Sequence, residues 1–333
     1  MPDSSLWLLV LIIILAIGFG VVNGFNDAAN AIATVIGTRV LSPRNAIIMA
    51  AFCNLLGAAT GTAVAKTIGK GILVEAAISN QTVIAALAAV IIWATLATYW
   101  GLPVSLTHGF VAALAAAGVA VVGMHAVDWG VMGKVLSAVI TAPVLGFIGG
   151  FAFMVILFWL FRRSVPDKVR STFSNLQILS AAFLAYSHGK NDGQMPIGII
   201  TVAWVVYTGQ TQLWESIPMW IIILSALSIS SGTAFGGWRV IKTLGMRVTT
   251  LRPVHGFAAN FSAASVIEVA SHFGIPVSTT HCASSSIMGV GATRRFSAVR
   301  WGVAGNIITA WIITFPVCGG LGYLFAWLLA AIF

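Results

Sequence analysis

Apolar residues run along this chain in blocks of membrane-crossing length, punctuated by short basic or glycine–proline breaks. The first block, LWLLVLIIILAIGFGVV over 6–22, is followed at once by the polar stretch NGFNDAANAIAT. Most stretches between basic clusters approach the roughly 20 apolar residues that a helix needs to cross hydrocarbon. Strand-type alternation is absent, so the pattern predicts helices and not a β-barrel. The expected architecture is an all-α polytopic membrane protein of about 10–12 membrane helices or segments. The first block reads as a retained helix and not a cleaved leader. It lacks a basic leading region, carries Asp3 instead, and no small-x-small site follows it.

Composition sharpens this picture. The chain is 59% hydrophobic and 8% charged, with a mean hydropathy of +0.99; soluble domains carry about 25% charged residues. The net charge of +9 sits in short junctions: Arg162, Arg163, Lys168 and Arg170; Arg239, Lys242, Arg247 and Arg252; Arg294, Arg295 and Arg300. That distribution is what the positive-inside bias produces, and it argues against a nucleic-acid partner. Cys53, Cys282 and Cys318 lie in apolar surroundings without pair spacing, and are expected as buried thiols.

The chain also repeats itself. GFND at 24–27 returns as GKND at 189–192, GLPVSLTH at 101–108 as GIPVSTTH at 274–281, and WGVMGKVL at 129–136 as WGVAGNII at 301–308. A weaker echo links NLLGAAT at Asn54 with NFSAAS at Asn260. The predicted layout is one integrated membrane domain: a first repeat over 1–161, a basic inter-repeat loop over 162–175, and a second repeat over 176–333. Two halves in a helical membrane protein are the usual mark of a transporter with its site at the repeat interface.

The repeated residues are polar, which points to chemistry. Only eight acids exist, and an acid at mid-membrane costs about 2.5–3.5 kcal/mol on insertion scales. Asp27 and Asp192, with Asn30 one turn beyond Asp27, are the candidate ligands of a coupling cation, with Na+ a possible occupant. Gly24 and Gly189 are expected to let the helix unwind there, exposing carbonyls. In the second motif, glycine and proline stop one helix, and Ser105 or Ser278 caps the next. A helix start is an anion site. Asn26, Ser105, Thr107, Asn191, Ser278, Thr279 and Thr280 are therefore candidate ligands of a tetrahedral oxyanion. His108 and His281 are paired as well, as candidate proton or auxiliary groups beside the plainer reading of buried, hydrogen-bonded histidines. No zinc pattern accompanies them.

With these motifs quoted, the chain resembles the inorganic phosphate transporter (Pit) family, of the bacterial low-affinity permease type, over almost its whole length. The likeness is densest from GGWRVIKTLGMRV at 236 through RPVHGFAA and GIPVSTTH to residue 303. The resemblance implies inverted repeats, re-entrant helical hairpins and a secondary symporter in the cell inner membrane. It implies phosphate moved with Na+ or H+ as coupling ion, no other cofactor, and a homodimer. The family's essential aspartates fall on Asp27 and Asp192, its serines on Ser105 and Ser278, and its histidine before the second GxND on His188. Departures stand at Lys190, Gly193 and Asn260, and some relatives carry sulfate.

Three other classes compete. An intramembrane aspartyl hydrolase would use two carboxyls sharing a proton but has no need of the repeated Ser/Thr helix starts. A serine–histidine protease needs one of each. A channel gains little from two pseudo-symmetric halves around a closed site. Glu268, whose counterpart in the first repeat is Thr95, is expected to pair with His272 at i+4 or with an arginine, or to form a proton-binding pair. Lys190 is expected to place a fixed ammonium beside Asp192.

Overall fold

The computed structural model describes residues 5–332; Asp3, weighed above, lies outside them. The described chain is nearly all helix, with one isolated bridge between Leu73 and Val127. In the first half α1 (Leu6–Gly37) leads to α2 (Pro43–Ala58), α3 (Ala63–Lys70), α4 (Asn80–Trp100), α5 (Leu106–Val122) and α6 (Trp129–Phe161). In the second, α7 (Pro166–Asp192) and α8 (Gln194–Thr208) precede α9 (Met219–Phe235), α10 (Trp238–Lys242), α11 (Pro253–His272), α12 (Thr279–Ala292) and α13 (Trp301–Ile332).

The order recurs. Helix α1 corresponds to α7 plus α8, and a bent pair follows in each half: α2–α3 turns by 71°, and α9 with the Trp238–Arg247 segment by 62°. Next come α4 and α11, the short helices α5 and α12, and long α6 and α13 with internal prolines Pro143 and Pro316. Four helices, α1, α4, α6 and α13, are each long and apolar enough to cross a membrane, and each bent pair passes as a unit. The weaker echo does not survive: Asn54 lies on α2 and Asn260 on α11, which are not counterparts in this order. The basic stretch expected as a loop over 162–175 is loop only as far as Val165. Pro166, suited to a first helical turn, starts α7 there.

Packing follows exchange of the halves. Helix α1 lies on α9 as α7 lies on α2; α5 lies on α13 as α12 lies on α6; α3 meets α8 as α10 meets α1. The halves therefore interlock. One apolar cluster takes Leu9, Ile12 and Phe19 of α1 with α3, α4, α5 and α8; the other takes Ile32 and Val35 of α1 with α2, α7, α11 and α12. The polar segment Asn23–Asn30 of α1 falls between them.

Glycines permit the closest contacts. A Cβ on Gly24 would stand 2.0 Å from the Ile229 carbonyl oxygen, and one on Gly232 2.0 Å from that of Val21, across α1 and α9. Across α7 and α2, Gly189 and Gly57 meet the carbonyls of Asn54 and Tyr186 at 2.2 and 2.0 Å. This corrects the expectation of unwinding. Helix α1 runs unbroken through Gly24 and Asp27, and these glycines serve backbone approach, the small-residue packing of membrane helices. Of the cysteines, Cys282 and Cys318 are buried and Cys53 is half-buried; all three are free thiols.

Gly57→Ala and Gly232→Ala should each destabilise the purified protein by about 1–3 kcal/mol through overpacking, read as a lower melting temperature. Gly133→Ala and Gly305→Ala, where a Cβ meets nothing within 4 Å, should be neutral or slightly stabilising. Equal melting temperatures for both sets would show that the glycines are not packing devices.

Candidate functional site

Four helix segments converge on the centre. The middle of α1 brings Asn23, Asn26, Asp27 and Asn30, and the last turn of α7 brings His188, Asn191 and Asp192. The first turns of α5 and α12 bring Thr107, His108, Thr279, Thr280 and His281. Gly101 and Gly274, at φ 74° and 67°, reverse the chain before each of those turns. Ser105 Oγ then accepts from the His108 amide at 3.2 Å, and Ser278 Oγ from the His281 amide at 3.1 Å. Both serines are N-caps. Each cap leaves the first amides of its helix without an intrahelical partner.

The contacts obey the exchange of halves. Thr280 Oγ1 donates to Asp27 Oδ1 at 2.7 Å, and its counterpart Thr107 donates to Asp192 Oδ1 at 3.0 Å. Asn26 Nδ2 donates to Thr98 Oγ1 of α4 at 2.5 Å, while Asn191 meets Ser271 Oγ of α11 at 3.0 Å. With the Asn191 amide turned over, its oxygen accepts from Ser271 and its nitrogen donates to Asp192 Oδ1 at 3.2 Å, which satisfies both ends. Two contacts break the symmetry. Thr279, whose counterpart is Leu106, donates to Asp192 Oδ2 at 2.7 Å. His188, whose counterpart is Asn23, puts Nε2 3.1 Å from Asp192 and 3.9 Å from Asp27.

Asp27, His188 and Asp192 thus offer ligand atoms within 4.8 Å of one another, all three buried. Asn54 Nδ2 donates to Thr233 at 2.8 Å, which turns its oxygen toward His188 Nδ1 at 2.8 Å. Nδ1 therefore carries a hydrogen, and Nε2 faces two carboxylates. A proton shared at Nε2 is the arrangement that avoids like charge meeting lone pair. Around this cluster the side-chain oxygens of Asn23, Asn26 and Asn30 are buried with no partner, as is the Asn23 nitrogen. Carboxylate and amide oxygens are hard ligands, fitted to an alkali cation and not to a soft metal.

His108 and His281 stand together, ring centroids 4.9 Å apart. His108 stacks on Phe315 and His281 on Trp311; the ring nitrogens of His108 make no hydrogen bond, and His281 lies beside the Val139 backbone carbonyl. Neither bonds to an acid; both are buried as expected, but His108 lacks the expected hydrogen bond. Lys190 and Glu268 form an ion pair with each other, at 18% and 28% side-chain exposure. This corrects two expectations: Lys190 points away from Asp192, because residues two apart on a helix do not share a face. His272 packs on Phe273 instead of partnering Glu268. Sequence reasoning missed Asn23, Asn54, Thr98, Thr233 and Ser271. Their signal was polar side chains inside apolar helices: Asn23 directly before the first GxND motif, Asn54 in the weaker echo, and Thr98, Thr233 and Ser271 outside the quoted motifs.

Comparisons with known proteins agree with one another. The profile of the phosphate transporter family matches residues 23–322. A probable low-affinity inorganic phosphate transporter of Bacillus subtilis (strain 168) is 40% identical over 99% of this chain and 100% of that protein. One of the same description from Rhizobium meliloti (strain 1021) is 41% identical over 93% and 92%. Among solved structures, one titled the sodium-dependent phosphate transporter superposes with a TM-score of 0.91 at 28% identity, over 98% of this chain and 100% of that one.

The ion pair keeps part of its surface exposed, 18% and 28%, so its net value should be modest, about 1 kcal/mol. Lys190→Ala and Glu268→Gln should change melting temperature little. Thr107→Val and Thr280→Val each strip a buried carboxylate of a donor and should cost about 1–3 kcal/mol. Thermal unfolding of the four purified variants checks the ranking, and the reverse order would overturn this account of the site.

Proposed function

Because the chain belongs to the phosphate transporter family, we propose that it is a multi-pass membrane carrier of inorganic phosphate in symport with a monovalent cation, Na+ or H+. The observation that carries this reading is the buried Asp27–His188–Asp192 cluster, framed by two capped helix starts related by the repeat. The hydrolase and protease alternatives fall away with the family, whose relatives here are transporters.

In this reading the anion sits against the free first-turn amides of α5 and α12, with Thr107, Thr279 and Thr280 hydroxyls and the Asn26 and Asn191 amides around it. Ser105 and Ser278 act by holding those turns. Phosphate at neutral pH carries an ionisable O–H, and Asp27 and Asp192 supply acceptors for it; sulfate has no such hydrogen. The unpartnered oxygens of Asn23, Asn26 and Asn30 beside Asp27 favour Na+. A second reading rests on His188: a proton held at Nε2 between the acids favours H+. In either case the cation cancels charge that hydrocarbon would not tolerate. Inverted orientation of the halves, alternating access between them, and a homodimer complete the proposal.

Purified protein in proteoliposomes should accumulate radiolabelled phosphate when a cation gradient is imposed, with arsenate competing strongly and sulfate weakly. A Na+ gradient at constant pH and a pH gradient without Na+ separate the two coupling readings. Asp27→Asn and Asp192→Asn should each abolish gradient-driven uptake while insertion is kept or improved, since each removes a costly membrane charge. Uptake above half the parental rate in either variant would remove the carboxylates from the coupling role.

A further inference from the structure

Two large cavities open at opposite ends of α1. The first, about 900 Å3, is bounded by Leu8 near the start of that helix and by Val202, Val205 and Val206 of α8, and its lining also holds Lys70 and Glu75, one charge of each sign. The second, about 840 Å3, is bounded by Thr38 and Arg39 just beyond its end, and by Arg162, Arg170 and Arg252 at the ends of α6, α7 and α11. Asp167 is the one acid in that second lining. Among the described residues none of the four arginines makes an ion pair. Arg162 lies over the Trp159 ring. Arg39 is the sole described residue other than glycine with positive φ, at 61°. Glycine would take that conformation at less cost, so the chain keeps a guanidinium there against backbone preference.

The routes from these cavities to the buried cluster differ. Toward the arginines, Asp27 is followed on one face of α1 by Asn30, Thr34 and Thr38. Each bonds a polar side chain of the other half: Asn30 to Thr280 at 3.0 Å, Thr34 to Asn260 at 3.0 Å, Thr38 to Gln177 at 2.9 Å. Asn260 and Gln177 are 1% and 0% exposed, yet the Nδ2 of one and the Nε2 of the other have no partner. The line thus holds two open amide donors, the groups an anion needs in passing. On α8 the counterparts of Asn30, Thr34 and Thr38 are Met195, Ile199 and Ala203, all apolar. The repeat is polar along this face of α1 and apolar along its counterpart on α8.

We propose that the arginine-lined cavity is a second, weaker binding site for phosphate. It serves as an anteroom from which the anion reaches or leaves the buried cluster along the Asn30–Thr34–Thr38 face of α1. The proposal rests on the phosphate reading above. By the positive-inside bias this mouth is cytoplasmic. A phospholipid headgroup shares the phosphate chemistry, but a lipid has no use for donors buried beyond the cavity floor, so free phosphate is the occupant.

The test is sided. Phosphate–phosphate exchange is measured from each face of right-side-out and inverted vesicles, for the parent, Arg162→Gln/Arg170→Gln and Gln177→Leu. The half-saturating phosphate concentration should rise about threefold to tenfold from the arginine face alone, with the arginine effect shrinking at high salt. Arg39→Gly removes the charge while relieving the backbone, and it replaces the double variant if that one melts lower. An equal rise from both faces, or none, overturns the anteroom. So does an arginine effect that disappears in vesicles of neutral lipid, which would assign the site to a headgroup. A parent with no phosphate exchange at all would instead overturn the transport reading, and the anteroom with it.

Discussion

Two buried carboxylates set the terms for the rest of this structure. Asp27 and Asp192 are 2% and 1% exposed, and a buried charge persists only where neighbours supply donors. Thr280 serves one acid; Thr107, Thr279 and His188 serve the other. These donors come from α5, α7 and α12, so holding the acids obliges both halves to meet at one point. The capped turns, the glycine reversals at 101 and 274, and the close α1–α9 and α7–α2 contacts are the means of bringing them there. Cutting the chain at its repeat boundary would leave each acid short of donors, which is why the halves interlock instead of sitting side by side.

The repeat supplies economy, and its departures supply direction. The reciprocal contacts Thr280–Asp27 and Thr107–Asp192 give each acid one matched hydroxyl donor from the other half. The two acids are nevertheless not fully equivalent, because Asp192 has a second hydroxyl donor and the nearer imidazole. The exceptions fall where a difference matters. His188 stands opposite Asn23, Thr279 opposite Leu106, and the polar face of α1 opposite the apolar face of α8. Each replaces an apolar or neutral position in one half with a hydrogen-bonding or titratable one in the other.

Much of this was legible in the sequence because the chemistry was written twice. GFND and GKND, GLPVSLTH and GIPVSTTH, placed the acids, the caps and the hydroxyls before any geometry was known. Less legible was whatever depended on which helix lies beside which. Asn54, Thr98, Thr233 and Ser271 sit alone in apolar segments, and their role appears only when α2, α4, α9 and α11 are packed. The glycines misled for the same reason: small residues beside a polar motif are compatible with an unwound helix and with a tight helix crossing. The carbonyl oxygens at 2.0 and 2.2 Å from the added Cβ decide for the crossing. Lys190 misled by proximity in sequence, since two residues along a helix is nearly the opposite face.

A balance of charge then connects the site to the proposed coupling. With His188 protonated at Nε2, the cluster carries two carboxylates against one imidazolium, a net single negative charge in surroundings that water does not reach. Adding a phosphate anion to that cluster would stack like charges where screening is weak, and Coulomb repulsion at a few ångströms is worth several kcal/mol there. Adding a cation alone neutralises the cluster and leaves the positive ends of α5 and α12 without a counter-charge. Neither half-loaded arrangement is as good as both ligands together. Binding of one therefore favours binding of the other, and by linkage the reverse holds equally. On the proposed reading, coupling needs no separate device: it follows from placing one excess carboxylate beside two anion-attracting helix ends inside a membrane.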